Sequence, residues 1–149
     1  MSHSYAYNGR LMSSLKKIEH IGIAVSDLDQ AEKLFSRLLG AESYKREVVE
    51  SESVITSFFK SGPNKIELLA ATNATGPIQR FLEKKGEGIH HIAFAVDDIN
   101  FEMQRLKNEG FELLNDQPKL GADNKWVCFI HPRSTGGTLI ELCQDRDDI

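Results

Sequence analysis

The sequence predicts an α+β protein in which two βαβββ modules form one curved, cupped mixed sheet with helices on its outer face. Three observations carry this. The chain repeats itself at an offset of 71 residues: Ile18-Glu19-His20-Ile21-Gly22-Ile23-Ala24-Val25-Ser26-Asp27-Leu28 returns as Ile89-His90-His91-Ile92-Ala93-Phe94-Ala95-Val96-Asp97-Asp98-Ile99. Each copy runs into a pattern of apolar residues at helical spacing. Each half then ends on an apolar strand with a single carboxylate inside it, Lys65-Ile66-Glu67-Leu68-Leu69 and Thr138-Leu139-Ile140-Glu141-Leu142. A repeat of this length is one supersecondary unit used twice around a shared core.

In the first module, 17–25 alternates and is rich in Ile and Val, a strand pattern. Asp27 precedes Leu28, Ala31, Leu34, Phe35 and Leu38, spaced by threes and fours, and Gly40 supplies the stop of a helix. Strands are predicted near 42–49 and 53–60, a turn at Ser61-Gly62-Pro63-Asn64, and a closing strand at 65–70. Residues 71–76 link the modules, and Pro77 opens a short connecting helix that runs to Lys85. The second module repeats the order: strand 89–96, helix 98–109 with Gly110 after it, then strands near 111–115, 125–131 and 138–143. Loops are predicted at 118–124 and 132–137. The expected organisation is a flexible arm at 1–14, one domain at 15–144 (modules at about 16–71 and 87–144), and a tail at 145–149.

Composition narrows the function. The chain has 149 residues, 40% of them apolar and 27% charged, and a formal net charge of −4. There is no long basic run, which argues against nucleic acid as a partner. No apolar stretch approaches the length of a membrane span. The first residues lack an apolar secretory core, and Cys128 and Cys143 have no close cysteine partner, so a cytoplasmic location with reduced thiols is expected.

Side chains alternate across a strand. His20 therefore shares a face with Gly22 and Ala24, and His91 with Ala93 and Ala95, while the branched residues turn toward the helices. Small neighbours leave space beside each histidine. Glu67 and Glu141 sit opposite their own apolar neighbours in the same way. If both modules curl alike, His20, Glu67, His91 and Glu141 converge. Two buried carboxylates repel unless a cation joins them. Two imidazoles with two carboxylates suit Co²⁺, which we place first, or Mn²⁺, Ni²⁺, Zn²⁺ or Fe²⁺. Strict alternation sends His90 to the other face, where a structural role is expected, and leaves Cys143 on the face of Glu141. No role is assigned to His3 or His131.

These residues resemble the vicinal-oxygen-chelate superfamily across roughly residues 16–144, and within it the methylmalonyl-CoA epimerase family. The likeness lies in the two His-bearing strands and in Lys65-Ile66-Glu67-Leu68-Leu69, Gly76-Pro77-Ile78, Pro118-Lys119-Leu120-Gly121-Ala122 and His131-Pro132-Arg133, and continues through Gly136-Gly137-Thr138-Leu139-Ile140-Glu141-Leu142. The resemblance implies metal ligation by His20, Glu67, His91 and Glu141, a homodimer, and interconversion of (2R)- and (2S)-methylmalonyl-CoA. It makes Glu141 a candidate acid/base. Some family members carry a second glutamate on the third strand, where this chain has Thr56. Glu50 and Glu52, upstream of it, are expected to be solvated turn charges. Lys119 and Arg133 lie near the expected mouth and suit the anionic groups of an acyl-CoA. A lyase of the glyoxalase I type, acting on a glutathione hemithioacetal, is the alternative enzyme. A non-catalytic small-molecule binder is the alternative outside enzymes.

Overall fold

The structure, a computed structural model, describes residues 13–146. The expected arm therefore lies almost wholly outside the described residues, as do the last three residues of the expected tail. The strands are β1 (Lys17–Ala24), β2 (Lys45–Val49), β3 (Val54–Ser61), β4 (Asn64–Ala71), β5 (Gly88–Ala95), β6 (Lys119–Leu120), β7 (Lys125–Ile130) and β8 (Ile140–Asp145). The helices are α1 (Leu28–Leu39), α2 (Pro77–Lys85) and α3 (Ile99–Asn108).

The strands form one curled sheet in the order β2-β3-β4-β1-β5-β8-β7-β6. This order is symmetric about its centre. β1 and β5 pair antiparallel in the middle. Each then takes the last strand of its own module as a parallel neighbour, β4 beside β1 and β8 beside β5. The outer strands add antiparallel on both sides. The 71-residue repeat of the sequence is thus a pseudo-twofold axis between β1 and β5.

Local chemistry explains the helix starts. Asp27 and Asp98, identical in the repeat, are both N-caps: their carboxylates accept from the Gln30 and Phe101 amides at 3.0 Å. Such a cap stabilises a helix by about 1 kcal/mol. Gly40, with φ of 68°, ends α1 in the left-handed conformation that favours glycine.

The apolar faces of α1 and α3 cover the outer surface of the sheet. Under α1, Leu28 and Ala31 pack with Phe59, Leu68 and Ala70. Under α3, Ile99, Met103 and Leu106 pack with Cys128, Ile130 and Leu142. α2 instead packs Ile78 against Ala24, Val54 and Leu69 and closes one end of the cup. Both cysteines are buried and unpaired.

The second module departs from the expected strands at one edge. Residues 111–115 form only an isolated bridge, Leu113 to Ile130. The Asn115 side chain accepts the Phe129 amide at 2.9 Å, so a side chain takes the place of the next ladder bond and pairing stops. The strand pairing the outer edge of β7 is β6, inside the expected 118–124 loop.

A second departure lies at the centre. The β1·β5 ladder pairs Ile18 with Phe94 but His20 with Ala93, and Gly22 with His91 but Ile23 with Ile89. One extra residue is therefore inserted in each strand: Glu19 in β1 and His90 in β5. These are β-bulges, which re-aim side chains. Glu19 and His90 occupy the same position in the two repeats, so the bulges obey the pseudo-twofold as well.

Candidate metal centre

The bulges correct the alternation argument. Without them Ile18 and Ile89 would share the inner face with the histidines; they are 41% and 60% exposed instead. Glu19 and His90 line the cavity of the cup beside His20 and His91. His90 is therefore not on the far face. A bulge is a property of how two strands pair, so periodicity along one strand carries no sign of it.

The ladders set the positions of the other residues. Gly22 pairs with Glu67 across β1·β4, and Ala93 pairs with Glu141 across β5·β8. His20 lies opposite Ala93, and His91 opposite Gly22. A Cβ built on Gly22 would strike the His91 ring, 2.6 Å from its Nδ1, so the glycine is a cradle for that imidazole.

His20, Glu67, His91 and Glu141 are all buried at the floor of the cavity, 5–6% exposed. The Nε2 atoms of His20 and His91 are 3.0 Å apart. Glu141 Oε1 lies 3.3 Å from His20 Nε2 and 3.0 Å from His91 Nε2. These three ligand atoms all fall within 4.8 Å of one another. Glu67 Oε2 stands at the other nitrogen of His20, 3.2 Å from Nδ1. Three of the four sequence-predicted ligands thus point at a common spot, with the fourth beside them. Cys143, on the same face, gives its thiol to the Phe94 carbonyl.

The electrostatics are those of a site organised around positive charge. Burial disfavours the His20 cation, yet its hydrogen bonds to Glu141 and Glu19 and the Glu67 charge raise its pKa to about 10. Burial raises Glu67 to about 7, helped by the charges of Glu141 and Glu19. Glu141 stays well below the usual carboxylate range despite burial, because both histidines bond to it. Burial pulls His90 down to about 4, assisted by His91. Two imidazoles and two carboxylates, desolvated and converging, fit a divalent first-row metal ion; Glu141 Oε1 and both Nε2 atoms would hold it, with Glu67 at the margin.

Lys119 lines the cavity and forms an ion pair with Glu52, which lines it too. Glu52 is thus a wall residue as well as a turn charge. Sequence reasoning lacked this because the partner is 67 residues away. Arg133 is not among the lining residues: its side chain is 70% exposed and its guanidinium bonds Glu112 through two nitrogens, at 2.9 and 3.0 Å. Thr56 is buried on the cavity wall. A clasp spans the two modules at the open edge, where Asp123 pairs with Lys45 at 2.6 Å and with Lys65, and gives its amide to Glu47 at 2.9 Å.

Known proteins share this architecture. The profile of the Glyoxalase/Bleomycin resistance protein/Dioxygenase superfamily matches residues 19–129. The chain is 41% identical over 131 residues to the ethylmalonyl-CoA/methylmalonyl-CoA epimerase of Cereibacter sphaeroides, covering 86% of this chain and 97% of that one. It is 37% identical to the human mitochondrial methylmalonyl-CoA epimerase, covering 88% of this chain and 75% of the relative. A solved variant of the Streptomyces coelicolor methylmalonyl-CoA epimerase, in complex with 2-nitronate-propionyl-CoA, superposes with a TM-score of 0.86 at 32% identity, covering 89% of this chain and 96% of that one. With the profile spanning most of the chain and these relatives aligned over nearly all of it, the protein belongs to the glyoxalase/bleomycin resistance protein/dioxygenase superfamily, alongside the methylmalonyl-CoA epimerases.

Proposed function

We propose that this protein is a metal-dependent epimerase that interconverts (2R)- and (2S)-methylmalonyl-CoA. The observation that carries the reading is the convergence of His20, His91 and Glu141 at the floor of a cavity, in a chain 41% identical to an ethylmalonyl-CoA/methylmalonyl-CoA epimerase. His20, Glu67, His91 and Glu141 are the proposed ligands. Co²⁺ is the first candidate ion, ahead of Mn²⁺, Ni²⁺, Zn²⁺ and Fe²⁺. A divalent ion in such a set supplies positive charge to an anion developing beside it.

The C2 proton of methylmalonyl-CoA lies between a thioester and a carboxylate, and its removal leaves an enolate. Glu141, ionised at neutral pH, is the proposed acceptor of that proton. Inversion needs a proton donor on the opposite face of the planar intermediate. Thr56 is too weak an acid or base for that task, and Glu52, in the short 3-10 turn between β2 and β3, is the carboxylate of that segment that lines the cavity. The buried walls limit water at the carbanion. Lys119 is proposed to meet an anionic group of the substrate inside the cavity by exchanging Glu52 for it. Arg133, outside the cavity, is proposed to meet the CoA phosphates after leaving Glu112. Homodimerisation belongs to this reading through family resemblance, and a cytoplasmic location through the two unpaired cysteines and the polar first residues. Among the described residues no helix is long and apolar enough to cross a membrane.

Isotope exchange tests the reading. In D₂O with added Co²⁺, methylmalonyl-CoA is expected to gain deuterium at C2 while its mass otherwise stays unchanged. Protein that binds Co²⁺ but catalyses no exchange would refute the substrate assignment.

A further inference from the structure

We propose that Glu19 is a positioning residue for the candidate metal centre, holding the Nδ1 proton of His20 so that Nε2 faces the other ligands. The inference rests on the reading of His20 as a ligand. Its own support is geometric. The bulge in β1 turns Glu19 into the cavity wall, where it is 7% exposed. Its Oε1 lies 2.5 Å from His20 Nδ1, nearer than Glu67 Oε2 at 3.2 Å. Its Oε2 lies 2.7 Å from Lys65 Nζ, and Lys125 Nζ follows at 3.9 Å. A carboxylate can only accept at Nδ1, so Nδ1 must carry a proton. The lone pair left to a neutral His20 is then on Nε2, the atom 3.0 Å from His91 Nε2 and 3.3 Å from Glu141 Oε1. A carboxylate behind a ligand histidine fixes its tautomer and ring orientation and makes it a stronger donor.

The repeat strengthens the argument. Position 19 of the first module is position 90 of the second, and His90 Nδ1 sits 3.0 Å from His91 Nδ1. Each ligand histidine thus has its Nδ1 engaged by the residue immediately before it, made available by a bulge. The two supports differ in charge: a carboxylate backs His20, an imidazole backs His91. The Glu19 charge is met by Lys65, which Asp123 anchors in turn, so the support of His20 continues into the clasp between the modules.

The test compares wild type with Glu19→Gln and Glu19→Ala, each checked for native fold by circular dichroism. Co²⁺ affinity is measured by competition with a chelating dye. The Zn²⁺-loaded proteins are examined for the His20 Nδ1–H by ¹H–¹⁵N NMR. Glu19→Ala is expected to bind about 10- to 100-fold more weakly. Glu19→Gln, whose amide oxygen still accepts from Nδ1–H, is expected to recover part of that loss. A protected Nδ1–H in wild type that exchanges rapidly in Glu19→Ala is the matching spectroscopic signature. Unchanged affinity in Glu19→Ala, or Zn²⁺ on Nδ1 of His20, would overturn the proposal while leaving the ligand set standing. Complete loss of metal in Glu19→Gln would also overturn it, since Glu19 would then itself be a ligand. Wild type that binds no metal, like a His91→Ala control, would remove the ligand reading itself.

Discussion

Gly22 stands directly across the β1·β5 ladder from His91, and the imidazole occupies the space that a side chain at Gly22 would need. The glycine is ordinary in its backbone; it carries none of the positive φ values found at the turn glycines. Its role is the room it leaves. Its counterpart in the other half, Ala93, faces His20 with a methyl group, so the two histidines are packed to different tightness.

Gly22→Ala should therefore strike the site first. The backbone at 22 accepts alanine, but the new methyl meets the buried His91 ring, which His20, His90 and Phe129 surround. The variant is expected to fold with a lowered melting temperature, and its Co²⁺ affinity to fall about 10-fold or more because the His91 ring leaves its productive position. Metal titration beside thermal unfolding checks this; unchanged affinity would mean that His91 is not held where the site needs it.

Metal binding should release protons and strengthen with pH. In the metal-free protein His20 is raised to about 10 and Glu67 to about 7, so near neutral pH the first is protonated and the second holds its proton more than a free carboxylate does. An ion bound by these groups displaces their protons. Calorimetric titrations in two buffers of different ionisation enthalpy should report net proton release at pH 7, and the apparent affinity should rise between pH 6 and 8. The sign for stability runs the other way. A histidine whose folded pKa exceeds its unfolded value of 6.5 stabilises fully below 6.5, and that contribution is lost as pH rises toward 10. Glu19, lowered to about 2, contributes stability above 4.5 that is lost as pH falls toward 2. With chelator present, the melting temperature should thus decline from pH 6.5 upward, and the increment on adding metal should grow.

Lys119 and Arg133 should behave differently. Lys119 reaches the cavity and is held there by Glu52; Arg133 lies outside it on Glu112. Lys119→Ala is expected to raise KM about 10-fold, the loss of one charge-assisted contact of about 1.5 kcal/mol, with a smaller change in kcat. Arg133→Ala, whose exposed pair with Glu112 contributes little to stability, is expected to change KM about threefold at most, since CoA phosphates stay largely hydrated at the surface. Steady-state kinetics on both variants checks the ranking; a larger effect at Arg133 would move the principal anion contact to the 132–137 loop.

Much of the site is legible in the chain itself. Asp27 and Asp98 cap matching helices as their place before the apolar pattern predicts. His20 and His91 fall on the inner face with small neighbours, and Glu67 and Glu141 line the same cavity. These features are written in local pattern and in the repeat. The misreadings share one cause. His90 and Glu19 turn inward because β1 and β5 pair with one extra residue each. The outer strand beside β7 is 119–120 because Asn115 takes an amide that a longer strand at 111–115 would have used. Glu52 lines the cavity opposite a lysine far along the chain.

By itself, then, the sequence determined the two modules, their element order and the side of the sheet that His20 and His91 face, because periodicity and capping act within a few residues. Only the tertiary structure decided the register across the twofold, and with it the bulges that bring Glu19 behind His20 and His90 behind His91. Register depends on bonds between residues about 70 positions apart, and a shift of one residue there reverses which side chains enter the cavity.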